Sequence, residues 1–256
     1  MIKLRGFARL GILAVGLGVG AAVASTPGVA SADEFDFQIS IDGYDLIPAA
    51  DTTATATSGM GDIAIAVGSG AYAEATGGIF DFATAFGTST IAEATTGNFN
   101  SATDIGTAGE AVAKGGSFDT AYANGNNSPA VAEFGSYDSA TAIDAAGNGG
   151  VVAQFGNFDS AIGIGTNGQA VAQDGNGNFA YVIDTGGGDD AARAGGFSET
   201  VLGSNDIASI VGTDSTATAG ADATTAGNSD LAAVFGDMLN ALATGGNFMT
   251  DILPSL

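Results

Sequence analysis

The sequence predicts an all-β protein: a flattened parallel β-solenoid with coils of about 19–21 residues, capped by an N-terminal strand and a short C-terminal helix. Three observations predict it. A Gly-x-aromatic-Asp/Asn motif recurs at a nearly fixed interval, and each interval contains two short runs of alternating polarity. Glycine also interrupts the chain every nine or ten residues, where each would cost a helix about 1 kcal/mol.

The repeat is plainest in Gly78-Ile79-Phe80-Asp81-Phe82-Ala83, Gly97-Asn98-Phe99-Asn100-Ser101-Ala102, Gly116-Ser117-Phe118-Asp119-Thr120-Ala121, Gly135-Ser136-Tyr137-Asp138-Ser139-Ala140 and Gly156-Asn157-Phe158-Asp159-Ser160-Ala161. With weaker copies at Phe179 and Phe197, the aromatics are spaced by 19, 19, 19, 21, 21 and 18 residues. A second block precedes the first five aromatics in constant phase: Ala73-Glu74-Ala75, Ala92-Glu93-Ala94, Ala111-Val112-Ala113, Ala130-Val131-Ala132 and Val151-Val152-Ala153, continued by Ala170-Val171-Ala172. Two strands of about five residues and two turns account for one coil. A β-sandwich of short hairpins also suits such strands. The solenoid is favoured because stacked coils place like residues above one another, whereas a sandwich has no reason to repeat chemistry at that interval.

The columns assign the faces. Ala83, Ala102, Ala121, Ala140 and Ala161 hold one position in every clear copy, and Ala or Val flanks the centre of the second block. Small uniform columns suit a narrow interior, and the variable set Glu74, Glu93, Val112, Val131 and Val152 suits the outside. The opposite assignment, with Phe and Ile inside, stays open at this point. Glycine ahead of each aromatic fits a corner needing positive φ, and the following Asp or Asn suits side-chain-to-backbone bonding in the turn.

Four segments follow. Residues 1–32 read as a secretory signal: Lys3, Arg5 and Arg9 precede an apolar run from Leu10 to Ala24, and Ala30-Ser31-Ala32 closes with small residues. Residues 33–58 form an N-terminal cap, in which Phe35, Phe37, Ile39 and Ile41 alternate with polar residues. Residues 59–220 are the repeat domain, although Thr213–Gly227 reads either as a degraded coil or as a linker. Residues 221–256 form the helical cap and tail, since Leu231, Val234, Phe235, Met238, Leu239 and Leu242 recur at helical spacing after Asn228 and Ser229. This apolar segment and the tail Ile252–Leu256 are the candidate contact with a cell-envelope or host-surface partner.

Composition narrows function. The chain has no Cys, His or Trp, which removes thiol and imidazole chemistry and Cys/His zinc sites. Its formal charge is −23, and beyond the signal only Lys114 and Arg193 face all 28 acids, so no nucleic acid is expected as a partner. Carboxylates leave a polysaccharide-acting enzyme as one alternative, for which Asp189, Asp190 and Arg193 break the repeat. A Ca²⁺-dependent binding module is another, on the acidic turns, although each coil offers only one or two oxygens. A third is ice or carbohydrate binding through hydroxyls such as Ser101, Thr103, Thr120, Ser139 and Thr141, in rows broken by Phe82, Tyr122 and Ile162. Against these, Asp81, Asp119, Asp138 and Asp159 repeat in register, as residues serving every coil do. No catalytic or cofactor-binding residue and no cofactor are therefore expected.

The motifs Gly97-Asn98-Phe99-Asn100-Ser101 and Gly116-Ser117-Phe118-Asp119-Thr120 resemble the pentapeptide repeats of mycobacterial PPE tandem-repeat proteins, and the Gly/Ala/Asn richness is similar to that of PE-PGRS proteins. The head domains of those families are replaced by the signal segment. The likeness, which spans most of residues 59–212, is therefore to small secreted Gly/Ala-rich mycobacterial repeat proteins, and it implies export and surface exposure but no activity. Ala64–Ala71 also resembles the head repeats of trimeric autotransporter adhesins, a likeness of shape. The expectation is an exported, non-enzymatic structural, adhesive or host-facing surface protein, secreted or associated with the cell envelope.

Overall fold

A computed structural model describes residues 36–46, 52–126, 129–143, 150–165, 169–183, 190–196, 203–211, 215–220, 227–234, 240–244 and 250–253. The signal segment lies outside them. Among the described residues every regular element is a strand, and no helix is long and apolar enough to cross a membrane.

The strands stack as a parallel solenoid with two walls. In the long wall, the strands Ile63–Val67, Phe82–Thr88, Ser101–Thr107, Thr120–Asn126, Ser139–Thr141, Ser160–Ile162, Phe179–Tyr181, Ile207–Ser209, Leu231–Val234 and Thr250–Leu253 follow one another in parallel register. The second wall runs from Thr55–Ser58 through Tyr72–Thr76, Ile91–Thr95 and Glu110–Ala113 to Pro129–Ala130. It crosses single bridges at Val151 and resumes from Gln169–Ala170 to Asn240–Thr244. Register is the column rule of the sequence: Ala83, Ala102, Ala121, Ala140 and Ala161 are successive partners.

Those alanines are the core. They are buried together with Ala73, Ala92, Ala111, Ala130 and Ala170 from the other wall, so the inside-out alternative is overturned. Alanine methyl groups make up most of the interior. Larger side chains enter where a neighbour makes room: a Cβ on Gly163 would lie 2.9 Å from Cγ2 of the buried Val151.

The strand Phe37–Ile41 closes the first coil, as the alternating pattern predicts. It runs antiparallel to Ile63–Val67, from Phe37 opposite Val67 to Ile41 opposite Ile63. Its polar side chains serve the other wall: Gln38 Oε1 accepts the Ala56 N–H (2.7 Å) and Ser40 Oγ accepts the Ser58 N–H (3.1 Å). One strand thus covers two sheet edges, by backbone on one side and by side chains on the other.

The C-terminal helix is not what forms. Leu231–Val234, Asn240–Thr244 and Thr250–Leu253 are strands; Phe235, Met238 and Leu239 lie outside the described residues. The helical spacing of the large residues competes with a period-two set of alanines, and the preceding coil settles the matter. Ala232 pairs with Ala208, Ala241 with Ala217 and Ala243 with Ala219, each buried, while the open parallel edge supplies backbone hydrogen bonds to the incoming chain. Thr216–Gly220 is likewise a coil strand, and parallel stacking continues past residue 220 to Leu253.

Candidate functional site

The repeated corner Gly-x-aromatic-Asp/Asn stacks its glycines, its aromatics and its acids each in a vertical file. In the outermost file, Phe80, Phe99, Phe118, Tyr137 and Phe158 stack ring on ring with centroids 4.9–5.0 Å apart. The rings remain about half exposed. Because neighbouring rings occupy each other's faces, the file presents ring edges outward. A second, shorter stack joins Phe134 and Phe155 at 5.5 Å, with Lys114 Nζ 5.9 Å from the Phe134 ring centre.

Positive φ falls on the aromatic, not on the glycine before it. Phe80, Phe99, Phe118, Tyr137 and Phe158 have φ between 59° and 63°, and their file continues through Gly61, Gly177, Asn205 and Ser229, all left-handed. The glycine is required for another reason. A Cβ on Gly78, Gly97, Gly116, Gly135 or Gly156 would lie 1.4–1.8 Å from the carbonyl oxygen of the equivalent glycine in the next coil.

The weaker copies are also re-registered. Phe179 stands beside Ser160 and Ile207, two residues past the aromatic position, which Gly177 holds; Phe197 lies outside the described residues. Two coils that the aromatic pattern misses begin at Gly203 and Gly227, where Asn205 and Ser229 replace the ring. The signal that finds them is Gly-x-x-Asp/Asn-x-Ala, present in Gly203-Ser204-Asn205-Asp206-Ile207-Ala208 and Gly227-Asn228-Ser229-Asp230-Leu231-Ala232.

The acid after the aromatic does bond to backbone, but to that of the next coil. Asp62 Oδ1 accepts the N–H of Asp81, and the series continues through Asn100, Asp119, Asp138, Asp159, Asn178 and Asp206 to the N–H of Asp230, at 2.8–3.2 Å throughout. These side chains are at most 1% exposed. Burial pushes the carboxyls up, opposed by the accepted amide: to about 6 for Asp81 and Asp119, about 7 for Asp138 and Asp206, and about 8 for Asp159. They are rungs of a ladder and do not converge on a cleft.

On the second wall Asp190 makes an inter-coil bond of the same kind, its Oδ1 accepting the Ser215 N–H at 2.9 Å; the Arg193 N–H donates to the Ala217 carbonyl, and Asp189 lies outside the described residues. Among the described residues, no group of three or more acidic side chains is placed to hold a metal ion. The hydroxyl row is continuous through Ser101, Thr120, Ser139 and Ser160, with Phe82 and Phe179 at its ends, and Thr103, Tyr122 and Thr141 form a parallel row that gives way to Ile162. On the second wall Tyr72, Glu74 and Glu93 make an acidic face; the Tyr72 hydroxyl donates to Glu74, and burial with Glu74 nearby raises the Glu93 carboxyl.

A buried acid that the repeat does not announce is Asp104. It stands in register between Ala85 and Ala123, in an interior column, and its Oδ2 accepts the Ile91 N–H at 3.2 Å. Burial pushes its carboxyl to about 6. The one sequence signal is an acid in a column of alanines.

Compared with protein-family models, curated proteins and solved structures, the chain matches none.

Proposed function

We propose that this protein is an exported, non-enzymatic surface element: an acidic rod that presents repeated outer rows to the cell envelope or to a host surface. The observation that carries the reading is the placement of the aspartates. Side chains that could serve acid-base chemistry are spent on hydrogen bonds between coils, one per rung, and so serve the stack in every coil. Most of the variation from coil to coil lies on outward-facing positions such as Glu74, Glu93, Ile91 and Ile105, as in scaffolds whose specificity lies on the surface.

Export rests on the basic, apolar and small-residue succession of residues 1–32. The net charge keeps such a rod soluble and directs it away from polyanions. Contact with an envelope or host partner falls to the outer rows, the aromatic corner and the C-terminal coils with exposed Leu242 included. The test is fractionation of expressing cells, followed by protease treatment of intact cells. The reading requires the chain outside the membrane, shortened by its first 32 residues and cleavable or releasable from whole cells. A full-length chain held inside the cell would refute it.

A further inference from the structure

The ladder of buried carboxyls contains two amides, and they show what its outer atoms face. Asn100 Nδ2 donates to the carbonyl oxygen of Lys114 (3.4 Å), and Asn178 Nδ2 to those of Gly203 (3.2 Å) and Gln173 (3.4 Å). The Oδ1 of each accepts the next rung's N–H as an aspartate does. The outer atom occupies one place in both kinds of rung, against the glycine three residues earlier. A Cβ on Gly97 would lie 2.5 Å from Asn100 Nδ2, on Gly116 2.3 Å from Asp119 Oδ2, and on Gly156 2.2 Å from Asp159 Oδ2. The glycine contact leaves the outer atom tightly enclosed.

In Asp62, Asp81, Asp119, Asp138, Asp159 and Asp206 this place holds an Oδ2 that is sealed from solvent and has no hydrogen-bond partner. An ionised carboxylate only accepts. A protonated one donates through that oxygen, as the amide does at Asn100 and Asn178. We propose that the file is a proton-binding ladder: these six aspartates are held as neutral acids in the folded coils, so the rod is tightened by acid and loosened as the medium becomes alkaline.

The surroundings agree. Among the described residues, the charged groups whose fields reach the file are themselves acids: Asp42 on Asp62, Asp62 on Asp81, Asp119 on Asp138, Asp138 and Asp174 on Asp159, and Asp230 on Asp206. Burial and like charges favour the proton and outweigh the backbone amides that favour the anion, which are the next rung's N–H throughout and the corner amides of Gly116 at Asp119, Gly135 at Asp138 and Gly156 at Asp159. Each group binds its proton more tightly folded than unfolded. Stability is therefore greatest below the ordinary value of 3.8 and falls as pH rises toward the folded values of about 6 to 8.

Thermal unfolding of the full chain as a function of pH tests the ladder. The midpoint should fall by more than about 5 °C between about pH 5 and pH 8. Asp138→Asn with Asp159→Asn should flatten that dependence and raise the midpoint at the alkaline end. Asn100→Asp should steepen it. Asp45→Asn, an exposed acid in the N-terminal segment, removes the same kind of charge and should leave the slope nearly unchanged. A midpoint that is level or rises with pH would overturn the proposal, as would a double variant that behaves like Asp45→Asn. If the double variant does not fold, infrared spectroscopy of the unaltered chain at about pH 5 decides: the carbonyl stretch of protonated carboxyls must be present and must largely vanish on unfolding.

Discussion

A methyl group on Gly116 would lie 1.7 Å from the carbonyl oxygen of Gly135, one coil further along the stack. That contact is backbone against backbone, so no side chain can swing aside. Gly116→Ala therefore separates two coils at a corner where the aromatic and carboxyl files also pass, at a cost of about 3 kcal/mol or more. Gly150 is the internal comparison, since nothing lies within 4 Å of a Cβ there. Gly150→Ala should be neutral or stabilising by up to about 1 kcal/mol through the unfolded chain. Urea midpoints of the two variants, compared with the parent, check both statements.

Phe118 combines a favourable stack with an unfavourable backbone. It lies between Phe99 and Tyr137 at 4.9 Å from each, with φ of 63°. Phe118→Ala loses both ring contacts, each worth about 0.5–1.5 kcal/mol, and keeps the left-handed strain. Phe118→Gly loses the same contacts but relieves that strain, as Gly177 does in the native file. The glycine variant should be the more stable of the two by on the order of 1 kcal/mol in equilibrium unfolding. The reverse order would mean that the left-handed conformation at this position costs a residue with a side chain nothing.

How the first coil is finished can be tested at Gln38. Its side chain accepts the N–H of Ala56, and both residues are buried. Gln38→Leu leaves that donor unpaired, costing about 1–3 kcal/mol, and uncovers part of a sheet edge. Sedimentation velocity should then show association that the parent lacks at the same concentration. A strictly monomeric, equally stable variant would show that the antiparallel backbone pairing of Phe37–Ile41 suffices for capping.

Much of this architecture was legible because the repeat is written in side chains. Alanine columns identify the interior, since an invariant small residue marks a position that every coil buries, and their spacing gives the parallel register. Legibility failed where a constraint belongs to the backbone. The glycine of Gly-x-aromatic-Asp suggests positive φ, yet it is needed because the next carbonyl leaves no room, and the left-handed turn passes to the aromatic beside it. Coils at Gly203 and Gly227 escaped notice because Asn205 and Ser229 tolerate that turn without a ring. At Leu231–Val234 the large residues suggested a helix, because a sequence pattern contains no term for a sheet edge already formed. The aspartates were legible as backbone-bonding residues; that their partners lie a coil away follows only from the stacking.

Asp104 and Gly109 show how the interior admits an exception. A Cβ on Gly109 would lie 2.4 Å from Asp104 Oδ1, whereas in the preceding coil Ala85 and the buried Thr90 occupy the matching positions. The volume added by the carboxyl is recovered by the missing side chain, as Gly163 does for Val151. The two sites must therefore be coupled. Gly109→Ala alone forces the carboxyl against a methyl and should destabilise by about 1–3 kcal/mol. Asp104→Ala alone leaves space beside Gly109 and removes a buried acid that burial disfavours when ionised. Combined, Asp104→Ala and Gly109→Ala restore an alanine-filled coil, so the double variant should be more stable than the sum of the singles by more than about 1 kcal/mol. Its advantage over the parent should widen from about pH 4 to pH 6 and then level, because the unfolded chain gives up this proton near the ordinary value of 3.8 whereas folded Asp104 holds it to about 6. Additive energies from the double-mutant cycle would show that the coil has room to adjust and that the close fit of Asp104 to Gly109 is not what holds it.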